Sequence, residues 1–91
     1  MVVVVNVEEW GAVLDFTVSG RRVTLTRDGV QRTVVGLVPD PIRTHAVMVD
    51  GTTYPVKQAF SAASGMDRLD FTTNQARHVF VRLGFEVMRV N

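Results

Sequence analysis

A chain of 91 residues with 46% hydrophobic and 21% charged residues has the composition of a globular domain, so we treat residues 1–91 as a single domain. The absence of cysteine excludes disulfides and thiolate zinc sites. The longest apolar run, residues 1–5, is too short to cross a membrane and lacks the flanks of a signal peptide. We therefore expect a soluble, cytoplasmic protein that makes no membrane contact.

The net charge of +1 argues against a general polyanion binder, but the basic residues are biased in type and in position along the chain. Nine of the ten are arginine, and Lys57 is the single lysine. An excess of arginine suits phosphate and guanine recognition, and it equally suits the codon bias of a GC-rich genome. Residues 41–91 carry six basic and four acidic groups, which makes this the basic half of the chain.

The first half of the chain has the alternating pattern of β-strands. Apolar and polar residues alternate over residues 12–18, and after a tight turn a second strand covers residues 21–26. Asp28 and Gly29 form a strong hairpin signal, because both positions tolerate a positive φ. Residues 30–38 are therefore expected to return as the third strand of a β-meander.

The amino-terminal residues leave two interpretations open. Residues 1–5 are β-branched enough to form one more strand, and residues 7–15 fit either a strand or a short helix. The helical alternative depends on a capping-box pattern that begins at Asn6, and on Trp10 and Val13 at helical spacing. We favour the strand.

The second half begins with a hairpin and ends with a closing strand. Asp50 and Gly51 predict a tight turn between two short strands, over residues 46–49 and 52–54. Residues 85–90 predict the closing strand at the end of the chain.

Two amphipathic helices lie between the hairpin and the closing strand. The first is predicted over about residues 55–64 and ends at Gly65; the second covers residues 73–83, with Thr72 and Gln75 as a capping box. The fold class is thus α+β: a mostly antiparallel sheet with an N-terminal meander, and two helices packed on one face. The apolar positions expected to be buried are Val56, Ala59, Phe60 and Ala63 in the first helix and Ala76, Val79, Phe80 and Leu83 in the second.

Patterns that would indicate catalysis or a cofactor are weak. His45 and His78 are the only imidazoles, and neither can be grouped with enough ligands for a zinc site. The sequence has no nucleophile elbow and no glycine-rich phosphate loop. Asp40, Asp50 and Lys57 fall short of a nuclease carboxylate array, which needs an acid two residues before the lysine. We expect a protein without catalytic activity, metal or cofactor.

The second helix presents side chains that suit DNA recognition. Its apolar stripe turns the other side chains of the first turns outward, and asparagine, glutamine and arginine can bond base edges with two hydrogen bonds. The free N–H groups of the first turn also attract phosphate. An ordinary helix with an amide-rich exposed face fits the same pattern. The candidate contacts on this helix are Asn74, Gln75, Arg77, His78 and Arg82, and Lys57 and Arg68 would extend the basic surface.

Four arginines of the first half have a separate interpretation. We expect them to cluster on two paired strands, where they would either lie in a DNA groove or protect exposed sheet edges, and we favour the protective role. They are Arg21, Arg22, Arg27 and Arg32.

Several short motifs of the second half resemble a known kind of module. They are Asp50-Gly51, Tyr54-Pro55-Val56-Lys57, Asp70-Phe71 and Leu83-Gly84-Phe85-Glu86-Val87. Over residues 46–90 the chain resembles the small amino-terminal recognition modules of McrA-like HNH restriction endonucleases and related actinobacterial defence proteins. The resemblance implies recognition of double-stranded DNA, including modified DNA, without cleavage. It also adds Tyr54 and Lys57 as candidate contacts.

A second function fits the same sequence. Val2, Val3, Val4 and Val5 would form an exposed sheet edge that pairs with a partner strand or with a second copy of the chain. This alternative predicts a protein-interaction or self-assembling domain. A basic face that gathers the cations of the second half would favour DNA, whereas a twofold contact through residues 1–7 would favour assembly.

Overall fold

The computed structural model describes residues 2–8 and 11–90, and it describes residues 2–8, 11 and 12 by their backbone alone. These residues form an α+β domain of two three-stranded antiparallel sheets and three α-helices. The first sheet has the order β1-β2-β3, from Val2–Glu8, Gly11–Val18 and Arg21–Thr26. The second has the order β5-β4-β6, in which β4 is His45–Val49, β5 is Thr52–Pro55 and β6 is Glu86–Arg89. The helices are α1 (Arg27–Val34), α2 (Val56–Ser64) and α3 (Thr73–Arg82), and a short 3₁₀ helix (Arg68–Asp70) precedes α3.

The first sheet confirms the strand interpretation of the amino-terminal region. β1 and β2 pair antiparallel, from Val2 opposite Phe16 to Glu8 opposite Gly11, and the register shifts by one residue between Val4 and Asn6. The helical alternative over residues 7–15 is therefore wrong, because this backbone is committed to a strand ladder. The contribution of Trp10 to that alternative lies outside the described residues.

The expected third strand over residues 30–38 is wrong, because this segment begins as helix α1. The Thr26 side chain caps the helix by accepting a hydrogen bond of 2.9 Å from the backbone N–H of Gly29. Val30 and Val34, four residues apart, bury one face of the helix completely. Asp28 and Gly29 thus lie in the first turn of a helix, where the positive end of the helix dipole stabilises the negative charge of Asp28. The β-meander exists, but it consists of β1, β2 and β3.

The expected cluster of four arginines on paired strands is also wrong. Arg21 and Arg22 lie on β3, whereas Arg27 and Arg32 belong to α1. Arg27 covers the ring of Phe85, with its guanidinium carbon 4.9 Å from the ring centroid. This arginine therefore joins α1 to the end of the chain and does not extend a basic ribbon.

The second half follows its predicted course. Thr72 and Gln75 form the capping box of α3, with hydrogen bonds of 3.1 and 2.9 Å in the two directions. Gly65 ends α2 with a φ of 78°. Asp50 and Gly51 make the tight turn between β4 and β5 with φ values of 50° and 80°, and the closing strand β6 pairs with β4.

One continuous hydrophobic core joins the two sheets, whereas the sequence predicted a single sheet. Helix α2 contacts α1 and α3, the strand β3 of the first sheet, and both β4 and β5 of the second. Phe60 and Phe80 are fully buried and lie edge to face with their ring centroids 6.1 Å apart. Of the eight predicted core positions on α2 and α3, seven are buried and Ala63 is partly buried. Helix α2 thus packs between the two sheets, and α1 and a second sheet are additions to the expected arrangement.

Candidate functional site

Five of the eight predicted contact residues line one open groove. The groove has a volume of about 580 Å³, and its second wall is β2, through Phe16, Thr17 and Val18. We call it the α3 groove, after the helix that supplies its polar wall. The five residues are Asn74, Gln75, Arg77, His78 and Arg82.

The start of α3 is fixed from two directions. The Gln75 side-chain oxygen accepts a hydrogen bond from the backbone N–H of Thr72, which completes the cap, and a second of 3.2 Å from the Ser19 hydroxyl. Ser19 belongs to the turn between β2 and β3, so this contact ties the first sheet to the beginning of α3. The amide oxygen of Gln75 is consequently occupied by the protein itself, and Gln75 is a weaker candidate for base recognition than the sequence indicates.

Arg77 is the central cation of the α3 groove. Its Nη1 donates a hydrogen bond of 3.0 Å to Oδ1 of Asn74, one turn earlier on the helix. Its Nε is buried and has no hydrogen-bond partner among the described residues, and neither ion pair found there includes this arginine. The buried Nε is closed to solvent, so an anion in the groove would have to bind the Nη groups of this guanidinium.

A second cavity has Thr73, the first residue of α3, in its wall. Its volume is about 400 Å³. We call it the basic cavity, because four side chains that are cationic or can become so line it together with one carboxylate. They are Arg43, His45, Lys57, Arg68 and Asp40.

Two of the cations in the basic cavity already have partners. Lys57 Nζ donates a hydrogen bond of 2.9 Å to the Arg68 carbonyl and lies 5.4 Å from the centroid of the Phe71 ring. The Arg68 guanidinium pairs with the Asp40 carboxylate at 2.9 Å, and both side chains are about half exposed. These contacts hold Lys57 and Arg68 at the cavity wall and leave further N–H donors on each cation.

The two cavities adjoin at the first turn of α3. Thr73 lines the basic cavity, and its neighbour Asn74 lines the α3 groove. The four predicted cations Lys57, Arg68, Arg77 and Arg82 are thus divided between two neighbouring depressions that share the amino terminus of one helix.

His45 occupies a positively charged position in the basic cavity. It is the first residue of β4 and stands directly opposite Arg89 of β6 in the strand register. Loss of hydration lowers the pKa of His45 below its ordinary value of 6.5, and the charges of Arg77 and Arg89 lower it further. The imidazole is therefore predominantly neutral at pH 7.

Tyr54 does not belong to this surface. Its side chain is 2% exposed and belongs to the hydrophobic core, because Tyr54 faces inward beside Val47 in the β4–β5 ladder. The burial removes Tyr54 from the residues that can contact a ligand, although Lys57, the other residue added by the resemblance, lines the basic cavity.

Thr17, Arg43 and His45 are among the cavity residues that were not predicted as contacts. Thr17 of β2 lines the α3 groove, Arg43 lies in the connection before β4, and His45 begins that strand. Alternation along β2 places Thr17 on its polar side, but no local pattern connects any of the three with α3.

Two negative findings apply to the part of the chain that the structure describes. In it, no three histidine, aspartate or glutamate side chains are grouped so that they could hold a metal ion. None of its helices is long and apolar enough to cross a membrane.

Comparison with known proteins gives one match. The model of a family described as SCO5918-like matches residues 17–91, a range that contains every residue of both cavities except Phe16. No curated protein and no solved structure matches the chain. Because the matched range covers most of its length, the chain belongs to the SCO5918-like family.

Proposed function

We propose that this domain is a non-catalytic module that binds double-stranded DNA through the amino-terminal part of α3. One observation carries the proposal: amide and cationic side chains line two adjoining cavities that meet at the first turn of this helix. The first-turn N–H groups other than that of Gln75, which Thr72 caps, and the surrounding cations favour phosphate oxygens. The major groove is wide enough to admit a helix together with its side chains.

The residues of the two cavities divide into base-reading and phosphate-binding roles. Arg77 is the best candidate for a base contact, because its Nη2 and the second proton of Nη1 stay available while Asn74 holds the guanidinium in place. Arg82 lies about 7–8 Å farther along the helix axis and would reach the DNA backbone. Lys57 and Arg68 would bind phosphate from the basic cavity.

The proposal extends to modified duplexes and to a cytoplasmic role in defence against foreign DNA. Its support is the likeness of residues 46–90 to the recognition modules of McrA-like HNH endonucleases. That segment includes the whole of α3, as well as Lys57 and Arg68 of the basic cavity.

Fluorescence-anisotropy titrations would test the DNA-binding role. Wild type, Arg77→Ala and Arg82→Ala are titrated into random and methylated duplexes at two salt concentrations. Arg77→Ala should weaken binding to the duplex that wild type binds more tightly, and by about 1–3 kcal/mol more than it weakens binding to the other duplex. Arg82→Ala should weaken both by the same factor, because a phosphate contact carries no sequence information.

Arg32→Ala is the matched control for these variants. Arg32 is an exposed helical arginine on α1 and lines neither cavity, so its removal should leave DNA affinity within about twofold of wild type apart from the general charge effect. Equal losses of DNA affinity for Arg32→Ala and Arg77→Ala would mean that binding depends on net charge alone. No binding by the folded wild-type protein would overturn the DNA-binding role.

A second candidate function is self-assembly through β1. This strand is at the edge of the first sheet, where among the described residues its backbone pairs on one side, with β2. An edge strand can accept a strand from a second copy. The register shift between Val4 and Asn6 disfavours a long continuous pairing, since a bulge interrupts the ladder.

Light scattering coupled to size-exclusion chromatography would test this second function. Self-assembly predicts a dimer that Val3→Lys, a charged substitution on the edge strand, converts to a monomer. A monomeric wild type at high protein concentration would exclude assembly by this route.

A further inference from the structure

The basic cavity brings charged and titratable groups from several elements around His45. β4 supplies His45 itself, and β5 contributes Pro55, which does not titrate. Arg89 of β6 and Arg77 of α3 act on His45 through their charges but do not line the cavity. The charged groups that line the cavity beside His45 are Lys57 from α2, Arg68 from the 3₁₀ helix, and Arg43 and Asp40 from the connection before β4.

The charges of this cavity do not balance. Three permanent cations line it against the single carboxylate of Asp40, and that carboxylate is already paired with Arg68 at 2.9 Å. Arg43 and His45 take part in neither of the two ion pairs found among the described residues. Such a cavity attracts anions, and a protonated imidazole inside it is unfavourable until an anion is present.

A bound phosphate would change the protonation of His45. Lost hydration and the charges of Arg77 and Arg89 keep the pKa of His45 low in the free protein. A phosphodiester oxygen in the cavity would offset these charges and offer the imidazolium an acceptor, which raises that pKa. By linkage, a site that gains a proton on binding binds more tightly as the pH falls.

We propose that the basic cavity binds a backbone phosphate of DNA and that His45 takes up a proton when this phosphate binds, so that DNA binding is tighter at acidic pH. This inference rests on the proposed DNA-binding function. It adds the position of a phosphate, a role for His45 and a pH response to that function.

The test removes the other imidazole first. The chain has two histidines, so in a His78→Gln background His45 is the only one. NMR titration of its imidazole, with and without a duplex of about 16 base pairs, reports its protonation directly. The expected result is an upward shift of the His45 pKa when DNA is bound. Duplex DNA is the probe because its phosphodiesters do not titrate near neutral pH.

Affinity measurements give an independent readout. The dissociation constant of the His78→Gln protein is measured at pH 8.0 and pH 5.5 at constant ionic strength, beside the double variant with His45→Gln. Affinity should rise about three- to tenfold towards acid in the first protein, since one pKa unit corresponds to a factor of ten. The double variant should change by less than about twofold.

Failure of this inference can be told apart from failure of the proposed function. DNA binding with an unchanged His45 pKa, or with the same pH response in both proteins, would overturn the proton-linked site and leave DNA binding intact. Absence of DNA binding by the folded wild-type protein at both pH values would overturn both. If only His78→Gln loses binding, His78 is itself a DNA contact, and the same measurements on wild type and His45→Gln decide the question. If His45→Gln fails to fold by circular dichroism, the imidazole titration of the His78→Gln protein still decides the question.

Discussion

Gln58 bonds the connection between α1 and β4 to helix α2. Replacing Gln58 tests whether this contact stabilises the wall of the basic cavity. Gln58 is a polar residue of α2, yet it is buried, and both the NH₂ group and the oxygen of its side-chain amide form hydrogen bonds. Its Nε2 donates a hydrogen bond of 2.9 Å to the Val38 carbonyl, and its Oε1 accepts one of 2.8 Å from the Asp40 N–H. The side chain thereby imitates a strand neighbour for residues 38–40.

Replacing Gln58 by leucine keeps much of the side-chain volume and removes both hydrogen bonds. At about 0.5–1.5 kcal/mol for each bond, the free energy of unfolding should fall by about 1–3 kcal/mol. In a domain of this size, each kcal/mol lowers the melting temperature by about 4–8 °C. The Asp40 amide should also exchange with solvent faster than in wild type, since its acceptor is gone.

Gln31→Leu is the matched control for this experiment. Gln31 is a partly exposed glutamine on α1, and its side chain makes no hydrogen bond to the described residues, so the same substitution there should change stability by no more than about 0.5 kcal/mol. Thermal denaturation and hydrogen exchange measure both effects. The interpretation of Gln58 fails if its variant melts with wild type, or if exchange at Asp40 is unchanged.

Three further predictions concern the core, the pH response and the ionic-strength response. Phe60→Ala or Phe80→Ala should lower the free energy of unfolding by about 3–5 kcal/mol in denaturant titrations. The control Val81→Ala, at a residue 59% exposed, should have little effect. An unchanged midpoint for either phenylalanine variant would contradict the assigned core. Because the folded state holds the pKa of His45 below its unfolded value of 6.5, the unfolded state binds more protons below that pH. Wild type should therefore lose stability as the pH falls through this region, and His45→Gln should lose less; identical pH profiles would refute the assignment. If about four phosphates are contacted, the logarithm of DNA affinity should fall with the logarithm of salt concentration with a slope near −3.6, and an affinity that does not respond to salt would exclude this mode.

The parts of the fold that were predictable are those that local patterns determine. Helix α3 has a four-residue apolar spacing and a capping box at Thr72 and Gln75, and both features act within a few residues of each other. The hairpin at Asp50 and Gly51 is equally local. Pairing between strands is not local, and so the division into two sheets could not be derived from the same patterns.

Helix α1 shows how two local signals compete. Asp28-Gly29 resembles a hairpin turn, but Thr26 three residues before Gly29 is a helix cap, and Val30 with Val34 has helical spacing. The cap and the spacing prevail because together they satisfy backbone donors and bury both valines completely. The four-residue spacing of those valines was the sequence signal that could have revealed the helix.

The candidate site was predictable to the extent that it lies on one helix. Five residues of α3 were expected to share a surface, and they line one groove. Arg43 and His45 could not be linked to them, because their position depends on the pairing of β4 with β6 and on the connection that Gln58 holds. Tyr54 was misassigned because the β4–β5 register, which turns it towards the core, is invisible in a short motif.

Mapping backbone amide chemical shifts during addition of a duplex of about 16 base pairs would test the proposed DNA-binding surface most directly. Binding by the amino terminus of α3 predicts that the largest changes fall on residues 72–78 and extend to residues 43–45 in the basic cavity. Residues 2–8 of the edge strand should show little change. Changes concentrated on β1, or none at DNA concentrations far above that of the protein, would contradict DNA recognition by α3.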